Sequence, residues 1–417
     1  MKDKISKSEI YSFKTQLEGE RISLFELAIW KNGLPFKKID FSKKGKPIIK
    51  IAELNNGISN NTSFSEKEYS KDVFLTYGDL VFSWSGNPQT SIDIYRYKLQ
   101  DGWLNQHIFK VTPHSIVDKD YFFYIMKYLK PNFTKIATNK QTTGLGHVTL
   151  SDIKRISIAL PKISIQKKIA SILSEIDSKI ELNSKINNNL EQQAQALIKQ
   201  HIIGLETTIS LDEFCDIFTG RKNANEFDKN GSNKFFTCGP EILSINSFIY
   251  DGPAVIISGN GAYTGRTRFY NGKFDLYQRT YACTIKENIK QNYIYLLFPL
   301  LKMELEKRLM GGTHGSAIPY IVMNDIAKFE VPFEEGIFDT ISLVCKSIVD
   351  KLQANQKENE KLAQLRDALL PKLMSGEIDV SNVNIDDLAS ADKLSFIIIY
   401  VLLRFVTQKT FKRTLST

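Results

Sequence analysis

Two long amphipathic segments dominate the hydrophobic pattern of the chain. In the first, residues 163–204, apolar side chains recur at alternating steps of three and four: Leu173, Ile176, Ile180, Leu190, Ala194 and Leu197. This spacing is typical of a helix that packs along another helix. Ser164 is the expected N-cap and Gly204 the expected end, with no Gly or Pro between them. About 40 residues give a helix of roughly 60 Å, too long for most compact domains, so we predict a spacer between domains.

The second segment repeats the first at a shift of 172 residues, and we expect its helix to run from about residue 338 to 376. The match extends outside the helices, because Ser85-Gly86-Asn87 corresponds to Ser258-Gly259-Asn260 at a shift of 173. The chain is therefore interpreted as a tandem duplication of one unit, a globular region followed by a long helix. Pro371 is expected to kink or break the last turn of the second helix.

We predict that the two long helices pair antiparallel in a coiled coil with pseudo-two-fold symmetry. The helix-pairing positions would be Ile176, Ile180, Asn183, Asn187, Leu190, Ile348, Leu352, Asn355, Asn359 and Leu362. In that register Asn183 faces Asn359 and Asn187 faces Asn355, and the amides hydrogen-bond across the seam. The alternative is that these asparagines are exposed polar positions on a loosely packed helix.

Short apolar runs with Gly and aromatic punctuation fill the rest of the chain and predict an α+β fold for each globular region. Strands are expected at 46–51, 79–84, 107–111, near 156, 254–257 and 281–285, and helices at 121–129 and 293–308. A Gly-bearing loop at 141–147 is matched to a second at 310–316. The predicted domains are 1–161, a spacer helix at 162–205, 206–333, a second spacer helix at 334–380 and an atypical tail at 381–417.

Composition places the chain among soluble proteins with two or three domains. Hydrophobic residues make up 42% of its 417 residues, and four cysteines stand apart without metal-ligand spacing. Such isolated cysteines favour a reducing cytoplasm, and neither a signal peptide nor a membrane-spanning run is evident. The net charge of +9 favours a polyanionic partner such as nucleic acid, although a merely soluble basic surface would give the same value.

Catalytic motifs are not found in the sequence. There is no phosphate-binding G-x-x-x-x-G-K-[ST] loop, no H-E-x-x-H pair and no nucleophile elbow. We therefore expect no enzyme activity, no metal and no cofactor in this chain, and look instead for recognition residues.

Polar and aromatic side chains concentrate in the loops of both globular regions. Arg suits the guanine edge, Asn and Gln suit adenine, and Lys suits phosphate. The candidate DNA-binding residues are Trp84, Ser85, Asn87, Gln89, Arg96, Gln106, His107, Lys140, Gln141, Arg221, Lys222, Asn260, Tyr263, Arg266, Arg268, Gln278, Arg279 and His314.

Three motifs make the chain resemble the specificity subunit of a type I restriction–modification system. The first is L-P-x-x-x-x-Q-x-x-I-A-x-I-L-x-x-I-D-x-K-I-E-L-N at 160–183, and the second is L-A-Q-L-R-D-A-L-L-P-K-L-M-S-G-E-I at 362–378. The third is T-G-L-G-H-V-T at 143–149. The second copy departs from the first motif, because Val331-Pro332 is not followed by the Gln.

The resemblance implies a non-catalytic subunit whose two target-recognition domains each read half of a bipartite site in double-stranded DNA. It also implies docking to two modification subunits, which use S-adenosylmethionine, and to restriction subunits, which use ATP and Mg. Two alternatives stay open: a DNA-independent coiled-coil scaffold, and a fragment of a DNA methyltransferase or nuclease.

Overall fold

The computed structural model describes residues 11, 13, 15–141, 144–314 and 318–383. The predicted tail from residue 384 onward, and parts of both Gly-bearing loops (142–143 and 315–316), lie outside the described residues. The chain divides into two compact units, and each contains one globular domain and part of both long helices. The boundary crosses the helices between residues 179 and 180 and between residues 360 and 361.

The first domain mixes short strands and short helices, as expected for an α+β fold. Its strands are β1 Glu20–Ser23, β2 Ala28–Asn32, β3 Lys46–Ile49, β4 Phe64–Ser65, β5 Phe74–Leu75, β6 Leu80–Ser83, β7 Ser85–Gly86, β8 Asp93–Arg96, β9 Gly102–Leu104, β10 Ile108–Pro113, β11 Gly146–His147 and β12 Ser157–Leu160. Its helices are α1 Ile51–Asn56, α2 Lys119–Tyr128, α3 Lys130–Asn139 and α4 Leu150–Arg155. The sequence-predicted strands and the helix near 121–129 are all present.

A four-stranded antiparallel sheet in the order β2-β10-β6-β8 forms the centre of the first domain. A second sheet, β4-β3-β9-β5, packs with it around the buried side chains of Trp103, Leu104 and Ile108. Strand β1 pairs with β12 and brings the start of the domain to its end, directly before the first long helix.

The second domain repeats this arrangement in its own sheet. Its strands are β13 Thr208–Ser210, β14 Cys215–Thr219, β15 Asn233–Phe236, β16 Ile242–Ile245, β17 Tyr250–Ser258, β18 Thr267–Leu276, β19 Thr280–Ile285 and β20 Glu330–Pro332. The sheet order β14-β19-β17-β18 matches β2-β10-β6-β8, and β15 and β16 extend it. Strand β13 pairs with β20, as β1 pairs with β12.

The long helices begin where the closing strands of the domains end. They are α5 Ile163–His201 and α10 Glu335–Ser375, and the shorter helices between them are α6 Leu211–Phe214, α7 Tyr293–Leu300, α8 Glu306–Leu309 and α9 Met323–Ala327. A π-helical stretch, Leu301–Leu305, joins α7 to α8, so the predicted helix 293–308 is continuous but changes its hydrogen-bond pattern after Pro299.

The structure bears on two expectations about the helix ends. The expected N-cap was wrong, because α5 already begins at Ile163 and Ser164 lies inside it. Pro371 does not break α10, which continues to Ser375, and a kink at Pro371 stays a prediction. A proline removes a single backbone donor, and the surrounding turns retain theirs.

Hydrogen bonds from the side chain of Gln166 attach the start of α5 to the first domain. The buried Gln166 side chain donates to the carbonyl of Pro161 at 2.8 Å and accepts from the amide of Asp118 at 2.8 Å. The second unit lacks this Gln. There, Asp339 of α10 accepts from Tyr293 at 2.8 Å and from Lys290 at 2.7 Å, which supplies a polar junction of different chemistry.

Within the second unit, α5 and α10 pair through the asparagines expected from the sequence. Asn183 donates to Asn359 at 2.9 Å, and Asn355 donates to Asn187 at 2.8 Å. The later asparagine of α5, Asn187, thus meets the earlier asparagine of α10, Asn355, so the two helices run antiparallel. Asn183 and Asn355 are almost completely buried, so the alternative of solvent-exposed asparagines does not apply to them.

Candidate nucleic-acid interface

One edge of the central sheet gathers most of the recognition candidates of the first domain. Strands β2 and β6 end at this edge and the antiparallel β10 begins there, because Asn32 lies opposite Phe109 and Ser83 lies opposite Ile108. The segments that follow β6 and precede β10 therefore meet, and they carry Trp84, Ser85, Gln106 and His107.

Trp84 is the centre of this group. Its ring stacks on Phe109 with centroids 5.7 Å apart and lies 5.8 Å from the ring of His107. The Trp84 indole N–H donates to Asn32 at 3.1 Å, and the side chain of Gln106 lies 3.3 Å from that of His107. His107 is exposed, so the group offers an aromatic surface with polar edges to solvent.

One candidate, Asn87, stabilises the turn after β7 through its side chain. The Asn87 side-chain oxygen accepts from the amides of Gln89 and Thr90, which closes the turn. Gly86 has φ of 128°, and a Cβ there would lie 2.6 Å from that of Ser91, so only glycine fits. The side chains of Gln89 and Gln141 are exposed.

Two candidates of the first domain need correction. Arg96 lies opposite Leu80, at the end of β6 remote from Trp84, and its guanidinium binds Asp120 at 3.0 Å. Lys140 binds the buried carboxylate of Asp152 at 2.5 and 2.6 Å. Burial opposes the charge on Asp152, yet the hydrogen bonds from Lys140 and Thr149 hold its pKa below the usual value. Both cations therefore neutralise carboxylates of the domain.

The second domain presents the same sheet edge with different side chains. Thr219 lies opposite Tyr281 and Ser258 lies opposite Thr280, so the segments after β14 and β17 meet the segment before β19. These segments carry Arg221, Lys222, Asn260, Gln278 and Arg279. Gly259 allows them to approach, because a Cβ there would lie 2.2 Å from the carbonyl oxygen of Arg279.

Arginine chemistry dominates this second edge. Arg221 and Arg279 are exposed, and none of the described residues forms an ion pair with either. The amide of Gln278 donates to the carbonyl of Lys222 at 2.9 Å, which holds the two loops together. Arg266 stacks on the exposed ring of Tyr263 at 4.0 Å, an arrangement that leaves its guanidinium edge available for hydrogen bonding.

Arg268 also needs correction. Its guanidinium donates to the carbonyls of Gly239 and Pro240 at 2.9 and 2.8 Å, and burial lowers its pKa. It thus holds the segment after β15 against β18. His314 stacks on Tyr320 at 5.2 Å and lies 3.5 Å from Asp325, and Tyr320 in turn bridges Asn260.

The structure also corrects the matching of the Gly-bearing loops. In the first domain His147 pairs with Ser85 in the β7–β11 ladder. In the second domain the segment that contacts the Gly turn contains Tyr320, which bridges Asn260, and not the Gly-Gly sequence at 311–312. Asn32, His147 and Tyr320 contact candidate residues, and the sequence analysis did not select them. The shift of 173 residues that relates Asp152 to Asp325 also places Tyr320 at the position equivalent to His147. Applied strictly, this shift would have identified Tyr320 from the sequence.

No cluster of His, Cys, Asp or Glu suited to a metal occurs within the described part of the chain. Its helices, where the structure describes them, include none that is long and apolar enough to cross a membrane. Donors, cations and aromatic faces on an open sheet edge are suited to binding phosphates and base edges.

Comparison with known proteins gives a consistent match across both domains. A family model described as the type I restriction modification DNA specificity domain matches residues 20–192 and again 206–333. The EcoDI specificity subunit of Escherichia coli is 32% identical over 176 residues, which are 41% of this chain and 38% of that subunit. The MjaVIII specificity subunit of Methanocaldococcus jannaschii is 24% identical over 387 residues, 81% of this chain and 87% of that subunit.

A solved structure shares the fold. The S subunit of a type I restriction–modification system from M. genitalium superimposes with a TM-score of 0.53 at 17% sequence identity. The superposition covers 86% of this chain and 96% of that subunit.

Proposed function

We propose, since this chain belongs to the type I restriction modification DNA specificity family, that each of its two domains reads one half of a bipartite DNA site. The chain is a DNA sequence-specificity subunit, and the finer proposal concerns which surfaces read the bases. These are the two equivalent sheet edges, one centred on Trp84 and His107 and the other on Asn260 and Arg279.

The observation that carries this proposal is the repetition of one edge with changed side chains. His107 and Arg279 occupy the same place before the central strand, at β10 and β19, but offer different hydrogen-bonding groups to DNA. Arg is suited to the O6 and N7 atoms of guanine, whereas the imidazole ring offers a single donor or acceptor at each nitrogen. Two half-sites of different sequence are the expected outcome.

A domain exchange tests the proposal. Replacing residues 209–330 with the same region of a relative should change one half-site and leave the other as in the parent chain. Binding-site selection from random DNA would show this, with the reciprocal exchange of residues 20–160 as the matched control. Simultaneous change of both half-sites in either chimera would refute the assignment of one domain to each half.

We further propose that the subunit acts with modification subunits, which supply S-adenosylmethionine-dependent methylation, and with restriction subunits, which supply ATP- and Mg-dependent cleavage. This chain would itself transfer no methyl group and cleave no DNA. The absence of phosphate-loop and metal-ligand motifs from its sequence supports that division of labour. The cytoplasm is the proposed location, in keeping with four unpaired cysteines.

Labelled S-adenosylmethionine tests the division of labour. Methyl transfer to DNA should require both this chain and the modification subunit, and the purified chain alone should give background incorporation. Incorporation by the chain alone, at a level that survives a further purification step, would contradict the proposal.

A further inference from the structure

A carboxylate in the first unit joins three separate elements. Asp177, on α5, accepts hydrogen bonds from Arg366 of α10 at 2.9 Å and from Tyr124 of α2 at 2.7 Å, one at each carboxylate oxygen. Charge-assisted hydrogen bonds to both oxygens are strong and directional, so this single side chain ties the domain to both long helices.

The groups around Asp177 support this arrangement. Arg96 of β8 lies 3.8 Å from the same carboxylate, and its guanidinium packs 4.0 Å from the ring of Phe123. Arg366 also binds Asp367 at 2.8 Å, and Tyr124 lies 3.4 Å from the hydroxyl of Ser174. Burial is the main cause of the raised pKa of Tyr124, which keeps its phenol protonated as a donor. Asp177 is thus surrounded by cations and donors.

The second unit has no such link at the matching helix position. The shift of 172 residues that relates Asn183 to Asn355 places Val349 at the position of Asp177 and Ala194 at the position of Arg366. Both are buried and apolar. They line a small recess beside Phe298 and Leu352, where nonpolar packing replaces the carboxylate. Apolar packing is less directional than a pair of charge-assisted hydrogen bonds.

We infer that Asp177 is a positioning residue that fixes the first recognition domain on the long helices and thereby limits the DNA spacer length that the subunit accepts. The consequence for DNA rests on the proposed bipartite reading. The link that Asp177 makes to Arg366 and Tyr124, here called the Asp177 clamp, can be tested without DNA. Loss of the clamp leaves the reading edge at Trp84 and His107 intact but lets the first domain shift on its support.

Spin-label distances within the first unit test the clamp. Full-length chain with Cys238→Ser carries labels at Lys71→Cys, in the domain, and Lys167→Cys, on α5; both positions are exposed and the other cysteines are buried. Asp177→Asn should broaden the distance distribution. Tyr124→Phe, which keeps the ring and removes one hydrogen bond, should broaden it less and provides a second variant if Asp177→Asn folds poorly.

Asp177→Glu keeps the carboxylate and should restore a narrow distribution. Asp350→Asn is the matched control, because Asp350 pairs with Lys346 one turn away on α10 and, among the described residues, forms no hydrogen bond or ion pair with another element. A narrow distribution in Asp177→Asn and Tyr124→Phe, or equal broadening in Asp350→Asn, would overturn the inference.

Site selection on DNA with variable spacers then tests the consequence. The parent chain should accept one spacer length, and Asp177→Asn should also accept lengths about one base pair, or 3.4 Å, longer and shorter, with unchanged half-sites. An unchanged spacer preference despite a broadened distribution would contradict the link to DNA. If the parent chain itself selects no bipartite site, the proposed function fails, whereas the label distances still decide whether Asp177 is a clamp.

Discussion

Arg279 is the residue whose chemistry most clearly distinguishes the two reading edges. It is exposed in the segment directly before β19, and its carbonyl accepts from the amide of Gly259 at 2.9 Å, which fixes the backbone from which the side chain extends. Arg279→Ala should weaken binding by about 1–3 kcal/mol and relax discrimination at one base pair of one half-site. Competition binding against each single-base variant of the selected site measures this.

A control for Arg279 lies at the far end of the same domain. Lys273 is opposite Asp251 on the β17–β18 pair, whereas the reading edge is beyond Ile257 and Thr267 at the other end. Lys273→Ala should leave the base preferences unchanged. A uniform loss of affinity for all sequences in Arg279→Ala would identify Arg279 as a phosphate contact rather than a base contact.

Asp152 gives a prediction about stability and pH. Its carboxylate is buried, its pKa is lowered by Lys140 and Thr149, and it therefore stabilises the fold above the pKa of an unfolded Asp. That contribution is lost as the pH falls through the lower folded pKa. Asp152→Asn should cost about 1–3 kcal/mol at pH 7 and flatten the acid limb of the stability curve.

Urea unfolding followed by tryptophan fluorescence measures the effect of Asp152→Asn on the first domain. All three tryptophans of the chain, Trp30, Trp84 and Trp103, lie in that domain. Asp101→Asn, at an exposed position, is the control. Equal stability of Asp152→Asn and the parent at pH 7 would show that the ion pair between Lys140 and Asp152 does not stabilise the domain.

Residue type and loop position predicted which side chains would lie together at the ends of the strands, and hydrogen bonds to groups of the fold explain why other candidates lie apart from them. Trp84, His107, Asn260 and Arg279 meet at the sheet edges because they flank strands that the apolar pattern made visible. Arg96, Lys140 and Arg268 also flank strands, but their partners are Asp120, Asp152 and two carbonyls, and these partners are distant in sequence or belong to the backbone. A single sequence does not reveal which Lys or Arg side chains form ion pairs or hydrogen bonds within the folded domain.

At the scale of elements, periodicity predicted what depends on local pattern. The strands, α2 and both long helices follow from apolar spacing, whereas the start of α5 depends on Gln166, whose partners Ile116, Pro161 and Asp118 belong to the domain. The second junction shows the same dependence, because Asp339 replaces the missing Gln with different partners. At the start of α10, the absence of the Gln of the first motif is accompanied by a junction of different chemistry, while the strand-to-helix arrangement is the same as at α5.

The asparagine seam allows a test at the scale of the helix pair. Asn183→Leu removes the buried amide that donates to Asn359 at 2.9 Å and to Glu358 at 2.7 Å. The change should cost about 1–3 kcal/mol, because these two partly buried acceptors lose their donor. The double variant with Asn359→Leu should recover much of that loss, since a polar pair exchanged for packed apolar groups is often neutral. Chemical unfolding followed by helical circular dichroism gives both values.

Asn188→Leu serves as the control for the seam, because Asn188 is exposed on the same helix and the exchange is chemically identical. Its effect should lie within about 0.5 kcal/mol of zero. If the double variant instead lost the sum of the two single losses, the two asparagines would not be energetically coupled, and the seam would owe nothing to their hydrogen bond.

At the scale of the whole molecule, the duplication places a proposed reading edge in each domain and part of both long helices in each compact unit. The two long helices are thus shared by the two units, so a change in either of them reaches both. Specificity for a bipartite site then has two separable parts. In the proposed function, the side chains at the sheet edges select the bases, and the helices with their attachments select the distance between the half-sites.

Heptad insertion separates these two parts. Seven residues added after Lys185 in α5 and seven after Lys357 in α10 preserve the 3.5-residue repeat and lie between the two asparagine pairs, so both helices lengthen together. At 1.5 Å per residue the pair grows by about 10 Å, which corresponds to about three base pairs at 3.4 Å each. Site selection should return the same half-sites with a spacer longer by about that amount.

Insertion into α5 alone is the matched control. It should abolish bipartite binding, because seven extra residues in one helix have no partners in the other. An unchanged spacer in the double insertion would mean that the helices do not set the distance, and that the domains find their half-sites through contacts elsewhere.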